Sequence, residues 1–238
     1  MSIAQPADPI RTLALPGGAE IDIALRRSAR ARHVLIRIDD SKGDVELVLP
    51  KRAALRDGIA FAHAKAGWIE KRLDALPPAV PFRDGTVLPL LGEPLALTKP
   101  MNGARRTRRI DGALMVPGEG AEFAGCVRRW LIAEARREIS RRAEDLARRV
   151  ERPIKRLAIR DPATRWGSCS AAGGLSFSWR LILAPPAVLD YVVAHEIAHL
   201  RELNHSPRFW SLVDGLVGEH DAERAWLRHN GTRLRRYG

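Results

Sequence analysis

The segment "AHEIAHLRELNHSPRFWSL", residues 194–212, places three of the chain's seven histidines within eleven residues. From Ala187 to Leu203 the pattern is helical, and on a helix His195 and His199, four residues apart, leave the same face about one turn from each other. Both imidazoles can then grip one cation. Glu196 is rotated by about 100° from His195, outside the direct ligand set but within reach of a water on that cation, as a general base requires. Ile197 and Ala198, between the ligands, are uncharged, which suits a helix that faces a core.

Two imidazoles alone bind zinc weakly, and a catalytic zinc normally takes three protein ligands and leaves a fourth position for water. His205 is six residues beyond His199, and an unbroken helix would carry it roughly 9 Å further along the axis. The sequence therefore predicts a turn at Asn204, in the left-handed conformation that ends helices, bringing His205 back to the metal. Ser206 then caps a new helix with Pro207 at its first position and Phe209, Val213 and Leu216 on its buried face. Three neutral imidazoles leave one Zn²⁺ per chain with its full charge, which draws the pKa of bound water down to roughly 7. Glu196 would take the proton from that water as it attacks. A single histidine on a helix is ordinarily just packed or solvated; the ordered set of ligand, base, ligand, turn and ligand predicts a metal site.

At 238 residues, 45% hydrophobic and 29% charged, the chain can bury one good core or two small ones. No stretch reaches the roughly 18 uninterrupted apolar residues of a membrane span. The start, "MSIAQPADPIRTLALPGG", lacks a basic segment followed by an apolar run, so neither a signal peptide nor a membrane partner is expected. The two cysteines, Cys126 and Cys169, are too few for a disulfide scaffold and have no Cys or His neighbour at zinc-ligand spacing. They predict buried or half-buried thiols and a reducing, cytoplasmic setting. A net charge of +12 comes mostly from arginine and is compatible with nucleic acid or a nucleotide as partner. The arginine pairs recur along one helix, however, which favours solvated helix faces over a binding surface.

Residues 21–49 hold three alternating runs that predict a β-meander, and residues 53–76 carry a helical stripe ended by Pro77-Pro78. Short strands return over residues 81–118, with the basic tip "NGARRTRR" as an exposed hairpin loop. A long helix is predicted over Glu122–Val150, its stripe running from Phe123 through Leu131 and Ile139 to Val150, with Glu134, Glu138 and Glu144 paired to arginines three or four residues on. Strands follow at "IKRLAIRD" and "LSFSWRLIL", separated by the turn-rich "PATRWGSCSAAGG". The change of period near residue 119 divides the chain into a β-rich N-terminal region with one helix, 1–119, and a catalytic domain, 120–238.

"TRWGSCS", "SWRLILAPP", "DYVVAHEIAHLRELNHSPRFW" and "AWLRHNG", taken as an ordered set, resemble the YgjP-like metallopeptidase family, which is similar in turn to SprT-like and other zincin proteases. The resemblance implies an α+β fold with a zincin-like core: a long backing helix, a small twisted sheet whose edge strand lies over the cleft, and the HExxH helix beneath. It implies His195, His199 and His205 as zinc ligands and Glu196 as the catalytic acid-base. The third-ligand spacing also looks like that of metzincins, but those carry Gly where this chain has Glu202, and no methionine turn follows. With peptide hydrolysis implied, Leu175–Trp179 is the edge strand expected to pair with an extended substrate, Ser176 or Ser178 facing outward.

Two readings of "RWGSCS" stand side by side. Arg165, or Arg180 further on, stabilises transition-state charge beside Trp166 at the cleft; or Arg165 pairs with a carboxylate while Trp166 fills the core. Tyr191 either packs or donates to the oxyanion, and Asp214 is a candidate for orienting a ligand imidazole. The expected function is a zinc peptidase acting on extended or unfolded protein. The alternatives are a nucleotide pyrophosphatase using the same metal, against which the all-histidine ligand set argues, and a protease brought to nucleic acid by its basic surface, whose binding would fall steeply with salt.

Overall fold

The computed structural model describes residues 8–100 and 105–238, and side chains from residue 11. Residues 1–7, and residues 102–104 of the basic tip, lie outside the described residues. The chain forms two compact units that divide between Pro78 and Ala79. The division expected at 119/120 is thereby corrected. Leu88, Leu95, Leu97, Leu114 and Val116 share one core with Phe123 and Val127, so the change of period near 119 is a strand-to-helix transition inside a single unit.

In the first unit β1 (Asp8–Ala14), β2 (Glu20–Ser28), β3 (Leu35–Ile38) and β4 (Val45–Pro50) form a sheet in the order β1-β2-β4-β3. The expected meander is not formed: β3 and β4 make an antiparallel hairpin, but β2 pairs with β4 in parallel. Val45, Leu47, Val48 and Leu49 are all buried, and a strand that apolar takes a central place. The more polar β3 is left at the edge. Two helices follow, α1 (Leu55–Ala64) and α2 (Ala66–Asp74), where one was expected. They break at Lys65, whose φ of −103° and ψ of 6° leave the helical region. Ala62, Ala66 and Ile69 are buried on both sides of the break, so the kink keeps both short helices in the core.

The second unit opens with β5 (Val87–Leu90), β6 (Glu93–Thr98), β7 (Arg108–Ile110) and β8 (Ala113–Met115) in the order β5-β6-β8-β7. Its hairpins turn at Leu91-Gly92 and Asp111-Gly112, all four residues at positive φ, the geometry that matches strand twist in a two-residue turn. Strand order and directions repeat those of the first unit's sheet. α3 (Gly120–Arg149) then buries Phe123, Val127, Leu131, Ala135, Ile139, Ala143 and Ala147. Its arginines are mostly engaged on the helix surface: Arg137 and Arg141 with Glu134 and Glu138, Arg142 with Glu138 and Asp190, and Arg148 with Asp145. Arg149 donates to the carbonyls of Gly215 and Leu216. No helix among the described residues is long and apolar enough to cross a membrane.

After α3 come β9 (Arg156–Arg160), β10 (Gly167–Cys169) and β11 (Gly174–Ser178), a 3₁₀ turn at Trp179–Leu183, α4 (Pro186–Ala198), α5 (Pro207–Val217) and α6 (Asp221–Arg235). The sheet order is β10-β11-β9. β11 is therefore the middle strand, and the expectation that it is the substrate-facing edge is overturned. Its alternation correctly buries Leu175 and Phe177, but alternation reports which face a side chain occupies and carries no information about the strand's place in the sheet. Ser178 is buried rather than outward, its Oγ accepting the Arg180 N–H at 3.3 Å. Ser176 sits half-buried in this central strand.

Arg180 is not a transition-state contact. It is 2% exposed, and its guanidinium donates to Asp161 Oδ1 at 2.8 Å and to the carbonyls of Leu234 and Tyr237 at 3.2 and 2.6 Å. It thereby ties the end of α6 to the loop after β9, its Cζ 4.6 Å from the Trp179 ring. Removing one partner from a buried charge network is costly. Arg180→Met is expected to lower the unfolding free energy by about 3 kcal/mol in urea denaturation, with metal content per folded chain unchanged. A loss below about 1 kcal/mol would show the network to be idle.

Candidate metal centre and active site

α4 begins with Pro186 in its first turn, where proline's missing N–H costs nothing. It is buried nearly all round, with Val188, Leu189, Val193, Ala194, Ile197 and Ala198 at 3% exposure or less. A helix enclosed in this way holds its polar side chains rigidly. His195 and His199 emerge from its last turn with ring centroids 5.1 Å apart.

The helix ends at Ala198, with His199 as its cap, five residues before the expected end at Leu203. Tight turns follow, Leu200 N–H to Ile197 O and Arg201 N–H to Ala198 O, both at 3.0 Å. Asn204 does not take up the left-handed conformation expected of it; among the described residues only Leu91, Asp111 and Glu151 do so besides glycines. The bend is spread over residues 199–205, where early unwinding makes a single strained residue unnecessary. The unwinding also carries the Glu202 carbonyl back to 2.9 Å from His199 Nδ1, fixing that ring. Ser206 caps α5 through the Phe209 N–H, Pro207 follows it, and Phe209, Val213 and Leu216 are buried as expected.

His205 arrives with its Nε2 3.0 Å from His195 Nε2. One ligand atom from each of His195, His199 and His205 lies within 4.8 Å of the others. In tetrahedral coordination at the usual Zn–N length, two nitrogens lie ~3.3 Å apart, a spacing that His195 and His205 already approach, so the three imidazoles form a group that could hold a divalent ion. Three neutral nitrogen donors and no carboxylate favour zinc over Mg²⁺ or Ca²⁺. Beneath them is Phe209, fully buried, its ring centroid 4.9, 4.5 and 4.7 Å from those of His195, His199 and His205. This apolar floor restricts all three imidazoles.

Glu196 lies on the other side of His195 and is 6% exposed. It is pressed against β10: a Cβ on Gly167 would stand 2.5 Å from Glu196 Cγ and 2.6 Å from Oε1. Burial pushes the Glu196 carboxyl up to about 7, against the lowering charge of Arg165. Burial also pulls His195 down to about 4, followed by the charges of His199, His205, Arg224 and His220. Between Glu196 and the solvent is a small hollow bounded by Trp166, Gly167, Tyr191, Val192, His195 and Leu227.

The two opposite shifts make a testable pair. In metal-free protein the raised Glu196 pKa contributes stability that is lost as pH rises from about 4.5 to 7, because the folded state binds the proton more tightly. The depressed His195 pKa works the other way, its contribution disappearing as pH falls from about 6.5 to 4. The two slopes nearly cancel where they overlap. Glu196→Gln removes one of them. Relative to wild type, the metal-free variant is expected to gain about 3 kcal/mol between pH 4.5 and 7; parallel stability curves for the two proteins would disprove the buried carboxyl.

Several neighbours are placed differently from their sequence assignments. Asp214 contacts His220 Nδ1 at 3.2 Å and no ligand imidazole; its position seven residues after the α5 start turns it toward the loop that follows. Arg165 is exposed, near enough for its charge to reach Glu196. Trp166 is half-buried against the core, with Arg235 Cζ 4.3 Å from its ring centroid, so it both packs and lines the hollow. Tyr191 is 8% exposed and stacks on His220 at 5.0 Å, burial raising its phenol above the usual value. His220 stacks on Trp210 at 5.7 Å on its other face. Sequence reasoning missed His220, Phe209's role beneath the rings, and Gly167; a histidine between two helices and a glycine entering a strand were the only local signals. Cys126 and Cys169 are half-buried free thiols, as expected.

A family model for the YgjP-like metallopeptidase domain matches residues 32–230. No curated protein matches the chain significantly. Among solved structures, the crystal structure of the metallopeptidase zymogen of Pyrococcus abyssi abylysin is similar at 20% identity, over 43% of this chain and 91% of that one, with a TM-score of 0.30. That likeness is too distant to argue from. The family match runs through both sheets of the second unit and the whole histidine cluster, and the chain belongs to the YgjP-like metallopeptidases and is a metal-dependent hydrolase.

Proposed function

We propose that the chain is a zinc peptidase that hydrolyses extended or unfolded protein segments. The observation that carries this reading is a buried carboxyl, Glu196, held between a cluster of three imidazoles and an edge strand. His195, His199 and His205 would hold the ion. A zinc held there would supply a Lewis acid and make the attacking water easier to deprotonate. Glu196 takes the proton of the attacking water on its carboxylate and passes it to the leaving amine, and its raised pKa suits a group that both accepts and donates near neutrality.

β10 is the strand at the free edge beside α4. In this reading an extended peptide pairs with its outer edge and is aligned by that ladder across the hollow. α3 behind, the three-stranded sheet above and α4 below give this reading its zincin-like arrangement. Arg165, exposed and next to Trp166 in sequence, acts on Glu196 through its charge, and in this reading on the group reacting there.

The test is a panel of unfolded protein, nucleoside triphosphates and simple esters presented to zinc-loaded, chelated and zinc-restored protein. The expected result is new peptide termini, detected by mass spectrometry, that vanish on chelation and return with zinc. Metal-dependent hydrolysis of triphosphates with intact protein substrates would overturn the peptidase reading.

A further inference from the structure

The catalytic hollow does not end at Glu196. Trp166, Tyr191 and Leu227 form its wall and continue as the wall of a second, more open hollow of about 350 Å³, whose remaining lining is Arg224 and Arg228. Arg224, Leu227 and Arg228 stand at three- and four-residue steps on α6, which places them on one face. The two arginines therefore border a hollow that shares three of its lining residues with the one beside Glu196.

Two of the side chains that line this hollow, Trp166 and Arg224, are held by stacking neighbours. Arg235 lies over the Trp166 ring with its Cζ 4.3 Å from the centroid. Gly231 sits against the same indole, where a Cβ would lie 3.2 Å from Cζ2. Arg224 is stacked with its Cζ 4.8 Å from the Trp210 centroid, and Asp221, itself largely exposed, takes only its Nη1 at 3.3 Å. The stack orders the guanidinium before anything binds, so less entropy is lost on binding. The Arg224 charge also reaches the site, adding to the burial that lowers His195 and opposing the burial that raises Tyr191.

We propose that Arg224 and Arg228 form a carboxylate-recognition subsite, selecting substrates with a carboxylate close to the bond being cut. The proposal rests on the peptidase reading and adds a specificity to it. Trp166, Tyr191 and Leu227 receive the hydrocarbon part of an acidic residue, and the planar guanidinium donors engage its carboxylate. The carboxylate can belong to an acidic side chain or to the free end of a peptide; the chemistry is shared.

The experiment uses zinc-loaded protein and quenched peptides that differ only in Glu or Gln beside the scissile bond, with amidated ends, and a third peptide with Gln and a free C-terminal carboxylate. The Glu peptide is expected to be cleaved with about tenfold higher kcat/KM than the Gln peptide at low salt. In Arg224→Gln/Arg228→Gln protein that ratio falls toward one, and lysine at both positions restores part of it. Preference for the free-end peptide instead assigns the subsite to C-terminal carboxylates. Equal cleavage of all three, or a preference that persists in the double variant, overturns the proposal while leaving the peptidase intact.

Binding of the same peptides to zinc-loaded Glu196→Gln protein, measured by calorimetry, keeps the question separate from turnover. Tighter binding of the Glu peptide without cleavage by wild type preserves the subsite and removes the peptidase reading. A nucleoside triphosphate that binds more tightly than either peptide, and loses that binding in the double variant, assigns the arginines to phosphate and overturns the carboxylate.

Discussion

Glu196→Gln is expected to lower kcat/KM by about 10²–10⁴-fold while the zinc-loaded protein keeps its metal. The amide has nearly the carboxyl's shape, so its fit against Gly167 and its burial are retained. What is lost is the ability to accept a proton and return it. Because Glu196 is outside the three-imidazole group, metal analysis by mass spectrometry should be the same for variant and wild type. Activity above about a tenth of wild type would leave Glu196 without a catalytic role. Loss of zinc along with activity would make it part of the metal set.

His205→Ala has the opposite signature. Two imidazoles remain, and zinc affinity falls by at least about 10²-fold, enough to empty the site on dialysis against a mild chelator. His205 is exposed and its removal leaves α4 and α5 packed through Val193, Ile197, Phe209 and Val213, so the melting temperature of the metal-free protein should barely change. Turnover is expected to vanish with the ion. A variant that retains stoichiometric zinc would disprove the third ligand, and one that unfolds would show that His205 is structural.

The histidine cluster was legible in the sequence because it is local. Four-residue spacing on a helix dictates a shared face, and Ser206-Pro207 dictates a new start, whatever the rest of the chain does. The bend itself was less so: Asn204 was the residue with the right conformational preference, but the helix unwound earlier, where the Glu202 carbonyl could reach His199. Long-range pairing was not legible at all. β11 alternates as a strand at either place in a sheet would, and it is the middle one, while β4 pairs with β2 past the intervening strand β3. Arginines mislead for a related reason. Arg180 directly follows the candidate substrate strand Leu175–Trp179, yet its partners Asp161, Leu234 and Tyr237 come from distant segments. The repeated order of the two four-stranded sheets leaves no trace as a sequence repeat, since a sheet constrains period and turn chemistry far more than residue identity.

The contact between Gly167 and Glu196 ties two tasks to one another. The space between strand and helix is so short that a methyl group at Gly167 has nowhere to go. β10 cannot shift toward α4 without pushing on the carboxylate, and close-packed interiors transmit such displacements rather than absorb them. A peptide laid along the outer edge of β10 would be in mechanical contact, through a single backbone, with the group that moves the proton. Gripping the chain to be cut and aiming the base then become one adjustment, made across the thickness of one glycine.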